Sequence, residues 1–208
     1  MIIILTGKGG VSYDLPPFSL SPTEGAIMKN NTAFTKGQYH FLRGEYERSI
    51  MGFGNALKAG MDADKIHVPL GLAFFKNGNF TEAAVEFSRA LDLEPANDYI
   101  LFLRGMAAMN TGNMEKAVDD FNAAIILNGR RGFAYVARSL ASRAMHWNAE
   151  AENDLKSALD LAGVEVELFI REYCLTPALH NLALSLFDIG REVWGKKLWE
   201  RRSSNATH

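Results

Sequence analysis

The chain has 208 residues and a single cysteine, Cys174. No intrachain disulfide can form, and no zinc-binding thiolate cluster is available; a lone cysteine of this kind reads as a buried thiol. Charge of one sign is also lacking. The 22 Lys and Arg residues stand against 24 Asp and Glu, for a formal net charge of −2. That balance exerts no electrostatic pull toward nucleic acid. No stretch approaches the roughly 20 consecutive apolar residues that cross a bilayer. The apolar start, Ile2 to Leu5, is too short for a secretory signal and has no positive residue before it. A cytoplasmic location is the expectation.

The residues of common catalytic sites are present, but not in working patterns. The five histidines, His40, His67, His146, His180 and His208, include no pair at the i, i+4 spacing of a helical metal site. Gly7-Lys8-Gly9-Gly10 follows an apolar run, as a phosphate-binding loop does. Yet Lys8 lacks the required glycine spacing before it and a Ser or Thr directly after it. No serine or cysteine stands in a recognisable nucleophile context. The expectation is a non-enzyme with no cofactor and no metal.

What the chain has is a repeat. Gly44, Gly78 and Gly112 are 34 residues apart, and each precedes a near-copy of one helix. The copies carry Ser49, Phe53 and Ala56, then Ala83, Phe87 and Ala90, then Ala117, Phe121 and Ala124. A weaker fourth copy carries Ala151, Leu155 and Ala158, with Ser139 and His146 in place of two glycines. A fixed period in the range of about 20–50 residues denotes stacked supersecondary units. Small residues Gly37, Gly71 and Gly105 let the two helices of a unit approach. Phe53, Phe87 and Phe121 fill the space between units.

The rest of the chain divides around this repeat. Residues 1–29 form an extended N-terminal strap, with a β-branched start and a Pro- and Gly-rich continuation that disfavours helix. Residues 30–163 hold four repeats. Residues 164–175 are an irregular or strand-like insertion, because the step from His146 to Gly190 is 44, ten more than the period. Val164, Val166, Leu168 and Ile170 alternate as a half-buried strand does, with helix as the competing assignment. The two strand-like segments, Ile2–Leu5 and Val164–Ile170, are candidates to pair. Residues 176–202 read as a degenerate fifth repeat or capping helices, and 203–208 as a disordered tail.

Period and residues together resemble the tetratricopeptide repeat, most fully at Leu70-Gly71, Phe74, Gly78, Ala83, Phe87, Ala90 and Pro95. The resemblance implies an all-α, right-handed superhelical solenoid of 34-residue helix-turn-helix repeats. It also implies that the first helix of each unit lines a concave face. Placed on that geometry, an apolar peptide-binding groove consists of Phe34, Phe41, Val68, Leu72, Phe75, Tyr99, Phe102, Met106, Met109, Phe133, Val136 and Leu140. Leu184 and Phe187 continue the row if a fifth unit stacks. The family's Lys/Asn/Arg clamp for peptide C-termini is absent: its positions hold Phe34, Gln38, Pro69, Tyr99 and Leu103.

An elongated guest with spaced large side chains and prolines suits such a groove. The chain carries one in its strap, at Leu15, Pro17, Phe18, Leu20 and Pro22. Docked in cis it acts as a lid; docked in trans it builds a homo-oligomer. The expected function is non-catalytic protein–protein interaction, as an adaptor or scaffold that binds an extended apolar or proline-containing segment. Alternatives are a chaperone for a secreted or assembling protein and a self-assembling structural protein. A further alternative is an accessory subunit of a membrane complex, using the basic, aromatic stretch Trp194–Arg202. Contact with nucleic acid is not expected, and that basic stretch is expected to form a solvated cap rather than a membrane anchor.

Overall fold

Turn glycines set the register of the stack. Gly44, Gly78 and Gly112 have φ of 73°, 83° and 84°, a left-handed conformation that side chains resist. Each ends a helix in the same way. The amide of Gly78 donates to Phe75 O at 3.0 Å and that of Asn79 to Phe74 O at 2.9 Å. Gly112 and Asn113 repeat the pair on Met109 O and Ala108 O, and two otherwise orphaned carbonyls are satisfied each time. His146 makes the same turn without a glycine, at φ 63°.

The computed structural model describes residues 22–161 and 166–185, without the side chains of residues 22–31, 159 and 166–168. Four helical pairs follow in order: α1 (Pro22–Leu42) with α2 (Tyr46–Lys58), α3 (Ala63–Lys76) with α4 (Phe80–Leu93), α5 (Asp98–Asn110) with α6 (Met114–Leu127), and α7 (Gly132–Ala144) with α8 (Asn148–Asp160). A short helix, α9 (Val166–Tyr173), and a helical stretch at 177–185 complete the described chain. From α1 to α8 each helix packs on the one before and the one after it, which makes a solenoid. The described residues contain no strand.

Within a pair, one glycine and one ring fit each other. A Cβ added to Gly37, Gly71 or Gly105 would lie 2.7, 2.6 or 2.5 Å from the ring of Phe53, Phe87 or Phe121. All three rings are buried. The fourth pair changes both members: Ser139 replaces the glycine and Leu155 replaces the ring. The smaller Leu155 leaves room for the serine, whose hydroxyl donates to Ala151 O across the helix pair at 2.8 Å. In the first pair the hydroxyl sits on the other helix, where Ser49 donates to Gly37 O at 2.9 Å.

Ion pairs also repeat with the period. Arg104 grips Asp120 with two bonds of 2.9 and 2.6 Å, and Arg138 grips Asp154 at 2.8 and 2.6 Å. The spare nitrogen of each arginine reaches the second helix of the preceding unit, at Ser88 and Asn122. Such forked pairs fix geometry as well as charge. One unit earlier Glu86 has no arginine opposite it, and pairs instead with His67 at 2.7 Å and with Arg89.

Two expectations are corrected. The strap was to run through residue 29, with Pro22 among its docking residues, but Pro22 opens α1. A proline fits a first helical position, where its missing N–H has no intrahelical partner. Leu15, Pro17, Phe18 and Leu20 lie outside the described residues. The strand-like reading of Val164–Ile170 is also overturned, because residues 166–173 are helical, and so is a strand pairing with Ile2–Leu5. Val166, Phe169, Ile170 and Tyr173 fall at i, i+3, i+4 and i+7, a helical stripe. Burial of the adjacent Phe169 and Ile170 in the main core selects that stripe over the alternation.

Candidate functional site

The first helices of the pairs, α1, α3, α5 and α7, present the projected row of apolar residues, and α9 lies on it. Tyr173 is the centre of the contact. Its ring centroid is 5.0 Å from Phe102 on α5, 6.0 Å from Phe133 on α7 and 6.5 Å from Phe75 on α3. Phe169, one turn earlier, is 5.6 Å from Phe133 and fully buried. Most of these rings meet tilted or edge-on, the arrangement their quadrupoles favour. Burial raises the Tyr173 phenol well above its usual range, with the Tyr99 hydroxyl beside it adding to the shift.

Two polar side chains fix the end of α9. The Lys76 ammonium donates to Glu172 O at 2.7 Å and pairs with the Glu172 carboxylate. The Asn110 amide donates to Tyr173 O at 2.9 Å, while its oxygen accepts from the amides of Leu175 at 3.2 Å and Thr176 at 3.3 Å. Carbonyls in the last turn of a helix lack partners along the chain, and here Lys76 and Asn110 supply two of them. The hydrogen bond from Lys76 holds the Glu172 carboxyl below its ordinary value, with Arg171 adding to the effect against some desolvation. Asn110 is itself buried, and all its polar capacity is used within the site. Lys76 and Asn110 are 34 residues apart, the last residues of α3 and α5.

Next to Tyr173 in the chain, Cys174 is buried, and desolvation pushes its thiol up to about 12. Leu179 and Ala183 continue the contact and are likewise buried in the main core. At the rim, Asp98 accepts from Asn128 at 2.9 Å and pairs with Arg131, whose guanidinium lies 5.2 Å from the centre of the Tyr99 ring. These contacts tie the third and fourth units together beside Tyr173.

An open apolar groove was projected over the whole row, and six of its residues are closed off. Phe75, Phe102, Met106, Met109, Val136 and Leu140 are each at most 1% exposed. Val68, Leu72, Tyr99 and Phe133 are partly buried against the same core. Phe34 and Phe41 stand apart, half-buried on a smaller core formed by the first unit and α3. There Phe34 packs on Phe53 at 5.4 Å and Phe41 on Tyr46 at 5.6 Å. Leu184 is exposed and Phe187 lies outside the described residues. Sequence reasoning missed Lys76, Asn110, Phe169 and Tyr173. A helical stripe in 166–173 and two polar residues at one repeat position were the available signals.

Among the described residues no helix is long and apolar enough to cross a membrane. The basic stretch Trp194–Arg202 lies outside the described residues.

Residues 68–132 match the model of the tetratricopeptide repeat. Among solved structures, the crystal structure of MamA resembles the chain with a TM-score of 0.64 and 18% identity, covering 83% of this chain and 95% of that one. MamA from Desulfovibrio magneticus RS-1 gives 0.62 and 18%, over 67% of this chain and 80% of that one. YrrB, described as a tetratricopeptide-repeat protein with an unusual peptide-binding site, gives 0.61 and 20%, over 70% and 75%. At these identities the likeness is one of fold. No curated protein matches the chain in sequence. Period, turn geometry, the glycine–ring fit and the matched model agree: residues 68–132 carry tetratricopeptide repeats, and the described helical pairs share the fold of tetratricopeptide-repeat structures.

Proposed function

We propose that the chain is a non-catalytic protein-interaction module, an adaptor or scaffold that takes a polypeptide segment of a partner on the concave face of its first helices. The observation that carries this reading is the contact with α9. A stretch of peptide already lies on that face, held by rings from three successive units and by Lys76 and Asn110 at its backbone. Large apolar side chains on a firm helical scaffold, with a few polar groups to orient the guest, are what a peptide site requires. The peptide-binding site attributed to YrrB, on the same fold, adds support. The guest has apolar side chains at spaced positions.

Photo-crosslinking in the native cell tests the reading. A photoreactive residue is placed at Leu72, on the first-helix face, and separately at exposed Lys156 on α8. The expected result is a defined polypeptide adduct at Leu72 and none at Lys156. Equal labelling at both, or none at Leu72, contradicts the reading.

A further inference from the structure

The segment on the first-helix face shows what that face selects. α9 is held on that face by ring contacts and by hydrogen bonds at its last turn. Two anchors, Phe169 and Tyr173, are four residues apart and enter from one side of a helix. The acid Glu172 meets Lys76. The remaining grip, from Lys76 and Asn110, is on main-chain atoms at 172–176, which every polypeptide carries.

We propose that α9 and the turn after it are a resident competitor. The partner of this face is then a short amphipathic helix with two aromatic residues four apart, an acid just before the second, and an extended continuation. This rests on the interaction reading and narrows it, because the preferred guest is a helix followed by a turn rather than an extended proline-containing strap. The chemistry is read from the occupant: rings that match Phe75, Phe102 and Phe133, a carboxylate that matches Lys76, and a helix C-terminus whose open carbonyls match Lys76 and Asn110. A ligand that must displace α9 binds with its affinity reduced by the fraction of chains in which α9 is off. Weakening α9 therefore strengthens binding of a guest in trans.

The test uses the full chain and a labelled peptide of residues 164–178. Binding is measured to the unmodified chain, to Phe169→Ala with Tyr173→Ala, and to that double variant with Asn110→Ala added. The expected result is weak binding to the unmodified chain, at least about tenfold tighter binding to the double variant, and loss of most of that gain with Asn110→Ala. No binding by a double variant that keeps its helicity overturns the proposal. If the double variant does not fold, hydrogen exchange of the unmodified chain decides. Amides of 166–173 should exchange while those of α3 to α6 stay protected, and excess peptide should increase that exchange by holding α9 off. Exchange of α9 only with global unfolding overturns the proposal. So does a concentration-dependent dimer of the unmodified chain that excludes the peptide, since the cleft then belongs to a second copy. A Leu72 crosslink to a partner that persists when the peptide fails leaves the interaction reading standing and removes only the helical competitor.

Discussion

Leu42, Lys76 and Asn110 occupy one position in three successive units and meet different company. Leu42 is 86% exposed at the end of α1, and Tyr39 beside it is 55% exposed. Lys76 and Asn110 are both engaged with the end of α9. The same division runs along the row above them. Phe34 and Phe41 rest half-buried on their own unit, whereas Phe75 and Phe102 are sealed beneath Tyr173. One repeat pattern thus gives two surfaces, and the difference comes from a helix that does not belong to the repeat. An apolar position on a repeat scaffold is a socket, and its state depends on which segment reaches it.

The largest predicted effect contrasts the two halves directly. Phe75→Glu with Phe102→Glu places two charges in sealed sites and should cost about 5 kcal/mol or more, abolishing cooperative folding in a denaturant titration. Phe34→Ala, in the half-buried end, should cost only about 1–2 kcal/mol. Equal losses would erase the division. Next is the glycine–ring fit. Gly105→Ala should cost about 1–3 kcal/mol by overpacking against Phe121. Adding Phe121→Leu should recover part of that, because the fourth pair already combines a Cβ at the first position with leucine at the second. Thermal melting of the single and double variants measures the recovery, and its absence breaks the comparison between the third and fourth pairs.

Asn110→Ala removes a hydrogen-bond partner from two carbonyls and two amides and should cost about 2 kcal/mol. Its signature is faster amide exchange at 166–176 with no change in α1 and α2. A smaller effect follows pH. The Glu172 carboxyl is lowered in the fold, so its contribution is complete above its ordinary value and is lost as pH falls through the lowered one. Protection of the α9 amides, corrected for the intrinsic rate, should therefore fall in acid before that of α2, and Glu172→Gln should flatten that fall. The smallest effect is at the turn. His146→Gly relieves a left-handed histidine and should stabilise by about 1 kcal/mol, seen as a higher Tm.

The stack was legible because its determinants are local and repeat. A positive-φ turn selects glycine at 44, 78 and 112, and close helix approach selects the small residue opposite each ring. The inward row was legible as a row. Its covering was not, because nothing in the period places residues 166–173. Val166 and Ile170 satisfy both the alternating and the helical pattern, and only Phe169 and Tyr173 separate the two. Those rings are informative once their neighbours on α3, α5 and α7 are known, contacts across 36 to 98 residues that spacing alone does not reveal. The start of α1 was hidden for the opposite reason. Pro22 was read with the prolines before it, although a first helical position accepts it.

The claim that the chain's own helix fills its first-helix face from the second unit to the fourth is tested most directly by ring-proton contacts in solution. Nuclear Overhauser effects should connect Tyr173 to both Phe102 and Phe133, as centroid separations of 5.0 and 6.0 Å require. Tyr173 signals that reach only residues of α9, with Phe102 open to a soluble paramagnetic probe, would contradict it.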